Sequence, residues 1–190
     1  MEKIGELISK SVSIPNTSQC PSNDTQIDWE KQERNERYHR LLASSELPIR
    51  HVGMIKGVEK TNGWGKALKD IKALIGKGTI VGLVGSRGTG KTQLCAGACA
   101  YSAWNGRGAR YITVMDLLGE IKETYNDGGK ERVVMSKYKN VPLLVLDEWQ
   151  ERSDTSWEAS KLTNLIDYRY GALLDTIIVA NQTPKEFMAS

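Results

Sequence analysis

Residues 79–92 read TIVGLVGSRGTGKT, a short apolar stretch followed by a loop rich in glycine. Four positions of the loop, Gly85, Gly90, Lys91 and Thr92, match the pattern G-x-x-x-x-G-K-[ST]. In loops of this kind, glycines let backbone N–H groups turn inward and form an anion-binding nest at the start of the next helix. The stretch therefore predicts a strand, a phosphate-binding loop and a helix, in that order.

The loop predicts contacts with the phosphates of a nucleotide along its whole length, at Gly85, Ser86, Arg87, Gly88, Thr89, Gly90, Lys91 and Thr92. Lys91 is expected to supply positive charge to the β- and γ-phosphates and so to act in catalysis, and the Thr92 hydroxyl to be a ligand of Mg²⁺. The alternative is an ordinary glycine-rich turn, which the flanking strand and helix patterns disfavour.

Residues 143–148 read LLVLDE, an apolar strand that ends in two acids, Asp147 and Glu148. The carboxyl ends of parallel strands are where open α/β folds bind their ligands. Asp147 is expected to orient a water molecule on Mg²⁺, and Glu148 to polarise the attacking water in catalysis. A nucleotide kinase needs no second carboxylate, so the pair favours hydrolysis. The sequence also lacks an Asn-Lys-x-Asp segment for reading guanine, which favours ATP over GTP.

Strand-like and helix-like segments alternate around these motifs. This alternation predicts an α/β fold with a parallel sheet covered by helices on both faces. Strands are expected at 79–84, 110–114, 142–146 and 175–180, and helices at 65–75, 91–104, 115–125, 155–170 and from 183 onward.

Asn181 follows the fourth predicted strand. A polar side chain at the tip of the strand beside the acidic one can reach the γ-phosphate or its attacking water, and AAA+ ATPases have a sensor residue at this position. We therefore expect Asn181 to be a catalytic residue. The alternative is an asparagine that only forms the turn after the strand.

Composition and charge narrow the class of protein without identifying it. Hydrophobic residues make up 39% of the chain and the longest apolar runs have strand length, so no membrane partner is expected. The polar N-terminus lacks the pattern of a secretory signal, which predicts a cytoplasmic protein. A net charge of +3 is too small to identify a nucleic-acid partner.

The cysteines, Cys20, Cys95 and Cys99, predict neither a disulfide framework nor a zinc site, and the last two are expected to be buried.

The N-terminal residues differ in composition from the rest of the chain. Residues 15–25 are rich in Ser, Asn, Pro and Asp, and a highly charged helix is expected at 28–45. These features predict a short helical N-terminal arm at 1–48, either mobile or partner-binding, followed by a core at 49–190.

Several segments, read in order, resemble the DnaC-type replicative helicase loaders, which are AAA+ ATPases. They are RLLASSELP (40–48), ARYITVMDLL (109–118), KETY (122–125), LVLDE (144–148) and LIDYRY (165–170). The resemblance implies a five-stranded AAA+ sheet, and ATP hydrolysis coupled to placing a ring-shaped replicative helicase on single-stranded DNA. It also implies that the arm contacts the helicase. A homo-oligomer of this chain is a further expected assembly.

Tyr125, beside Lys122, resembles an aromatic residue that loaders place against single-stranded DNA. A base stacked on an aromatic ring contributes about 1–3 kcal/mol. Trp157 and the lysine row of the helix at 65–75 are the next candidate contacts. The alternative for Tyr125 is a ring packed on its own domain, and for the lysine row a solvated face.

The sequence departs from this family at its C-terminus. The family continues past the sensor strand with an arginine finger and a final strand, whereas this sequence stops at Ser190. We therefore expect a C-terminally incomplete core, an unpaired edge along 79–84 and weak hydrolysis without partner subunits. Arg169 is expected to pair locally with Asp167 or Glu148 rather than to act as the finger.

Two other functions stay open on the sequence alone. One is the related transposition-helper ATPase, which uses nearly the same core beside a transposase. The other is an adaptor that docks to a helicase without turning over ATP. The charged arm favours a loader.

Overall fold

The computed structural model describes residues 23–55, 62–126, 130–153 and 155–189. Predictions for residues 1–22, including Cys20 and the first part of the arm, lie outside the described residues. Contacts divide the chain into two units, Met1–Glu33 and Arg34–Ser190. None of the described helices is long and apolar enough to cross a membrane.

Four parallel strands form one sheet among the described residues: β1 Ile80–Val84, β2 Ala109–Thr113, β3 Leu143–Asp147 and β4 Asp175–Ala180. Their order across the sheet is β1-β4-β3-β2, and every neighbouring pair is parallel. The predicted α/β fold is confirmed. This order brings the carboxyl ends of β1, β4 and β3 side by side, where the phosphate loop, Asn181 and the acidic pair follow.

Helices connect and cover these strands. Within the described residues, helices are present wherever the sequence predicts them. Two further helices, α2 and α6, have only 5 and 9 residues, which is too short for a periodic pattern to stand out in the sequence. The described helices are α1 Asn23–Ala43, α2 Ile49–Gly53, α3 Asn62–Leu74, α4 Lys91–Trp104, α5 Val114–Asn126, α6 Glu131–Lys139, a 3₁₀ turn Trp149–Glu151, α7 Ser156–Gly171 and α8 Pro184–Met188.

Both faces of the sheet are covered, as the continuous apolar strands require. Successive strand residues point to opposite faces, so Val145 belongs to a core with α3 and α4, whereas Leu144 belongs to a second core with α5, α6 and α7. Cys95 and Cys99 are buried free thiols in the first core, as predicted. The sheet is therefore held rigidly from both sides.

The end of α1 and the segment after it pack within the Arg34–Ser190 unit. Leu42 and Leu47 are buried, and Ser45 accepts a hydrogen bond of 2.7 Å from the backbone N–H of Tyr111 at the edge of β2. The division at Glu33 thus comes earlier than the arm boundary predicted at 48. Leu42 and Leu47 thus give this mostly charged segment an apolar contact with the core.

β1 lies at one edge of the sheet and pairs with β4 alone among the described strands. This agrees with the unpaired edge expected along 79–84. Among the described residues the sheet has four strands, whereas the resemblance implies five. Phe187 of α8 packs against β1, so closely that a Cβ at Gly82 would lie 3.2 Å from its ring.

Arg169 corrects an expectation from the sequence, because it pairs with neither Asp167 nor Glu148. Its side chain is fully buried. The guanidinium donates to the carbonyl oxygens of Tyr138 (2.7 Å), Val141 (2.8 Å) and Asp175 and to the Thr176 hydroxyl (2.9 Å). Burial lowers the pKa of Arg169 to about 10. Its donors thus join the end of α6 to the starts of β3 and β4.

Arg169→Met removes these donors and leaves several buried acceptors without their partner. We expect the free energy of unfolding to fall by about 2–4 kcal/mol, since each unsatisfied buried polar group costs about 1–3 kcal/mol. Urea unfolding followed by circular dichroism measures the change. The control Arg132→Met, at an exposed position of α6, should shift stability by less than about 0.5 kcal/mol. An unchanged unfolding midpoint for Arg169→Met would contradict the structural role.

Candidate active site

The loop between β1 and α4 has the conformation that its glycines predict. Gly85, Gly88 and Gly90 have φ angles of 143°, 80° and 84°, in a region where residues with a Cβ are strained. Helix α4 begins at Lys91, directly after Gly90. The structure therefore has the strand, loop and helix in the order expected of a phosphate-binding loop.

Lys91 lies inside the curve of this loop. Its side-chain nitrogen donates to the carbonyl oxygens of Gly85 and Ser86, each at 2.8 Å, and the residue is 8% exposed. Burial lowers the pKa of Lys91, and the nearby charge of Asp147 acts in the opposite direction. These contacts hold the ammonium group at the loop, where it can bind a phosphate.

Asp147 ends β3 and is 4% exposed. Its Oδ2 accepts hydrogen bonds from the Thr92 hydroxyl (2.9 Å) and the Tyr111 hydroxyl (2.8 Å). Its Oδ1 accepts from the backbone N–H of Glu148 at 2.7 Å. The two predicted metal-site residues are thus in contact. A hydroxyl and a carboxylate are oxygen donors of the kind that Mg²⁺ prefers, so the pair fits this ion.

Glu148 and Asn181 lie beside this pair. Glu148 has a φ of 56°, which is uncommon for a residue with a side chain and is typical of functional sites. Asn181 follows β4, and its backbone N–H donates to the side chain of Gln150 at 2.8 Å. Both residues line a cavity of about 590 Å³ together with Lys91, Thr92 and Asp147. The structure therefore brings the predicted catalytic residues together.

The cavity also has lining residues that sequence reasoning missed, namely Pro48, Arg50, His51, Gln93 and Tyr111. The Nδ1 of His51 lies 2.9 Å from the side-chain oxygen of Gln93. The side-chain amide nitrogen of Gln93 donates in turn to the backbone carbonyl of His51 at 3.2 Å. Burial is the main cause that raises the pKa of Tyr111. No spacing rule connects Arg50, His51 or Tyr111 to the loop, because they come from α2 and β2, whereas Gln93 directly follows Thr92 on α4.

Three of the candidate DNA contacts, Lys122, Tyr125 and Trp157, lie together with Lys161 on one surface, which we call the α5–α7 patch. The Tyr125 and Trp157 rings meet edge to face at 6.3 Å, and Lys122 and Lys161 lie 5.2 and 5.9 Å from the Trp157 ring. Tyr125 is 55% exposed. Its hydroxyl donates to Glu131 at 2.6 Å, and Glu131 also pairs with Lys161. The role of this patch toward DNA stays a prediction.

Sequence comparison relates the chain to known proteins over most of its length. A model of the family described as IstB-like ATP binding protein matches residues 16–189. The chain is also 30% identical over 103 residues to the replicative helicase loader DnaC of Escherichia coli strain K12, across 54% of this chain and 42% of that protein. It thus spans about two fifths of the length of the curated relatives that it matches.

Solved structures share the fold. The crystal structure of the DnaC helicase loader aligns with a TM-score of 0.62 at 26% identity, over 72% of this chain and 81% of that chain. AMPPCP-bound DnaA from Aquifex aeolicus aligns with a TM-score of 0.65 at 21% identity, over 74% of this chain and 45% of that chain. These alignments confirm the predicted parallel α/β architecture of AAA+ proteins.

Lys91→Ala removes the positive charge at the loop. We expect the affinity for ATP to fall by about 10- to 100-fold, because a hydrogen bond to a charged group contributes about 1.5–3 kcal/mol. Titration with a fluorescent ATP analogue measures the loss. Lys69→Ala, an exposed lysine of α3, is the control and should bind as the parent does. Parent-like affinity in Lys91→Ala would mean that the loop does not bind the phosphates.

Proposed function

The chain belongs to the IstB-like ATP-binding protein family, and from this premise we propose that it hydrolyses ATP with Mg²⁺ to place a replicative helicase on single-stranded DNA. One observation carries the proposal: a single cavity is lined by the phosphate loop, by Asp147 and Glu148, and by Asn181. A phosphate-binding loop, a metal-site acid, a carboxylate for water and a polar sensor are parts that P-loop enzymes use to hydrolyse ATP.

In this proposal the loop and α4 bind the phosphates. Lys91 donates to the β- and γ-phosphate oxygens and offsets the charge that develops in the transition state. The Thr92 hydroxyl and the Asp147 carboxylate hold Mg²⁺, with Asp147 acting through a water molecule. Mg²⁺, when bound, neutralises charge on the β- and γ-phosphate oxygens.

Glu148 and Asn181 act on the water. Glu148 is exposed, whereas Asp147 beside it is buried and accepts three hydrogen bonds, so the two acids have different environments and different roles. Glu148 accepts a proton from the attacking water as general base. Asn181, directly after β4, the strand next to β3, holds the same water or the γ-phosphate with its side-chain amide.

The α5–α7 patch supports single-stranded DNA as the nucleic-acid partner. Proteins that bind single strands without reading sequence combine aromatic rings for stacking with positive charges for the phosphates. The patch offers Tyr125 and Trp157 with Lys122 and Lys161 around them. Both lysines also pair with acids, Lys161 with Glu131 at 2.6 Å and Lys122 with Glu158 at 3.5 Å, so the exposed aromatic rings, more than net positive charge, support this part of the proposal.

The helicase partner is proposed from the relatives that carry the name replicative helicase loader. The N-terminal arm, residues 1–48, is the segment we assign to that contact, and α1 within it has Trp29 about half exposed. A cytoplasmic location and an assembly of several copies of the chain stay predictions from the sequence.

A pull-down with the full chain separates this function from its alternatives. The chain should retain a replicative helicase in the presence of ATP and Mg²⁺ and should not retain a transposase. Retention of a transposase alone would favour a transposition helper. Retention of the helicase without any ATP turnover, tested with and without single-stranded DNA, would favour an adaptor.

Glu148→Gln should bind ATP as the parent does and lose turnover by about 100-fold or more, since general base catalysis contributes about 10²–10⁴ in rate. Phosphate release gives the rate, and a fluorescent ATP analogue gives the affinity. Glu123→Gln, at an exposed glutamate of α5, is the matched control. Undiminished turnover in Glu148→Gln would assign the water to another residue.

Tyr125→Ala should weaken binding of an oligo(dT) single strand by about 5- to 150-fold, the equivalent of about 1–3 kcal/mol for one stacked base. Fluorescence anisotropy at matched salt measures the affinity. Tyr170→Ala, at an exposed tyrosine near the end of α7, is the control. Equal affinity for the parent and Tyr125→Ala would place the DNA contact elsewhere.

A further inference from the structure

Tyr111 is a buried tyrosine whose hydroxyl reaches the nucleotide cavity. It lies in β2 opposite Val145 of β3, two residues before Asp147 along that strand. The residue is 9% exposed, and its hydroxyl donates to Asp147 Oδ2 at 2.8 Å. The same oxygen accepts from Thr92 at 2.9 Å. The phenol therefore contacts the metal-site pair directly.

Packing alone does not explain a hydroxyl at this position. Tyr111 belongs to the apolar core that includes Val145 and Val179, where a phenylalanine ring would fill almost the same space. Burial of a hydroxyl is unfavourable unless it forms a hydrogen bond. The hydrogen bond to Asp147 offsets this cost. The hydroxyl therefore acts by orienting the Asp147 carboxylate.

The hydrogen bonds divide the two oxygens of Asp147 unequally. A carboxylate oxygen has two lone-pair directions, and those of Oδ2 are taken by Thr92 and Tyr111. Oδ1 accepts from the Glu148 backbone, which leaves it one direction. The Tyr111 hydroxyl thus orients the carboxylate so that Oδ1 is the oxygen able to accept from a further donor in the cavity.

The backbone of Tyr111 is anchored on both sides. Its N–H donates to the Ser45 carbonyl at 2.7 Å, and the neighbouring Arg110 pairs with Glu46 at 3.1 Å. On the inner side, β2 is in register with β3 from Ala109 to Thr113. The ring is therefore aimed at Asp147 from a fixed support, as residues that orient metal-site ligands require.

We propose that Tyr111 is a positioning residue, which holds the Asp147 carboxylate in the orientation that binds a water molecule of the Mg²⁺–nucleotide complex. The inference rests on the proposed function of the cavity and adds a residue that the phosphate loop and the acidic pair do not include. Tyr111 acts through Asp147, so loss of the Tyr111 hydroxyl affects the Mg²⁺ dependence of nucleotide binding. It does not affect binding of the phosphates by the loop itself.

Tyr111→Phe, which removes only the hydroxyl, tests the proposal. Binding of a fluorescent ATP analogue is titrated with Mg²⁺ and repeated in EDTA. The half-saturating Mg²⁺ concentration should rise about tenfold or more, the usual effect of losing a residue that orients a metal ligand, and affinity in EDTA should change less than about twofold. Tyr138→Phe removes another buried tyrosine hydroxyl, in the core on the opposite face of the sheet, and should match the parent.

Tyr111→Met serves as a second variant, because it lacks the hydroxyl and keeps an apolar side chain. It should show the same rise in Mg²⁺ requirement as Tyr111→Phe. The proposal is overturned by a parent-like Mg²⁺ titration of Tyr111→Phe, by a rise in Tyr111→Met alone, or by an equal loss of affinity in EDTA. A parent protein without Mg²⁺-dependent binding would overturn the proposed function as well, whereas failure confined to the variants overturns this inference alone.

Discussion

Three hydrogen-bond donors meet at the carboxylate of Asp147, which lies at the end of β3 with 4% of its surface exposed. A buried ionised carboxylate costs several kcal/mol unless donors compensate it. These donors come from Thr92 on α4, Tyr111 on β2 and the backbone of Glu148. Satisfying this one charge therefore sets the position of the phosphate-loop helix relative to the sheet, and it aims Glu148 into the same cavity.

The opposite edge of the sheet is held by two other buried charged residues. Asp175, at the start of β4, accepts hydrogen bonds from the backbone N–H groups of Gly76 (2.6 Å) and Gly78 (2.8 Å), in the turn that leads into β1. Arg169 binds carbonyl oxygens at the starts of β3 and β4. Neither lines the nucleotide cavity. The amino ends of the strands thus serve stability, and the carboxyl ends carry the site, as in other open α/β sheets.

The parts of the site that the sequence could predict are those with fixed spacing along the chain. Lys91 and Thr92 follow from the loop pattern, and Asp147 with Glu148 from their place after an apolar strand. Tyr111 could not be predicted, because in sequence it is one more residue of a buried strand. The sequence suggests acidic partners for Arg169, because nearby acids can be seen in it. The actual acceptors of its guanidinium are mostly backbone carbonyl oxygens, whose positions a sequence does not show.

In the proposed function, this chain hydrolyses ATP with Mg²⁺ while it places a replicative helicase on single-stranded DNA. The most direct measurement is steady-state phosphate release by the unmodified chain, with Mg²⁺ or EDTA and with or without an oligo(dT) strand and a replicative helicase. We expect weak release that requires Mg²⁺ and rises when DNA and helicase are added. Release at the level of buffer under all conditions, despite tight binding of ATP, would contradict the proposed hydrolysis.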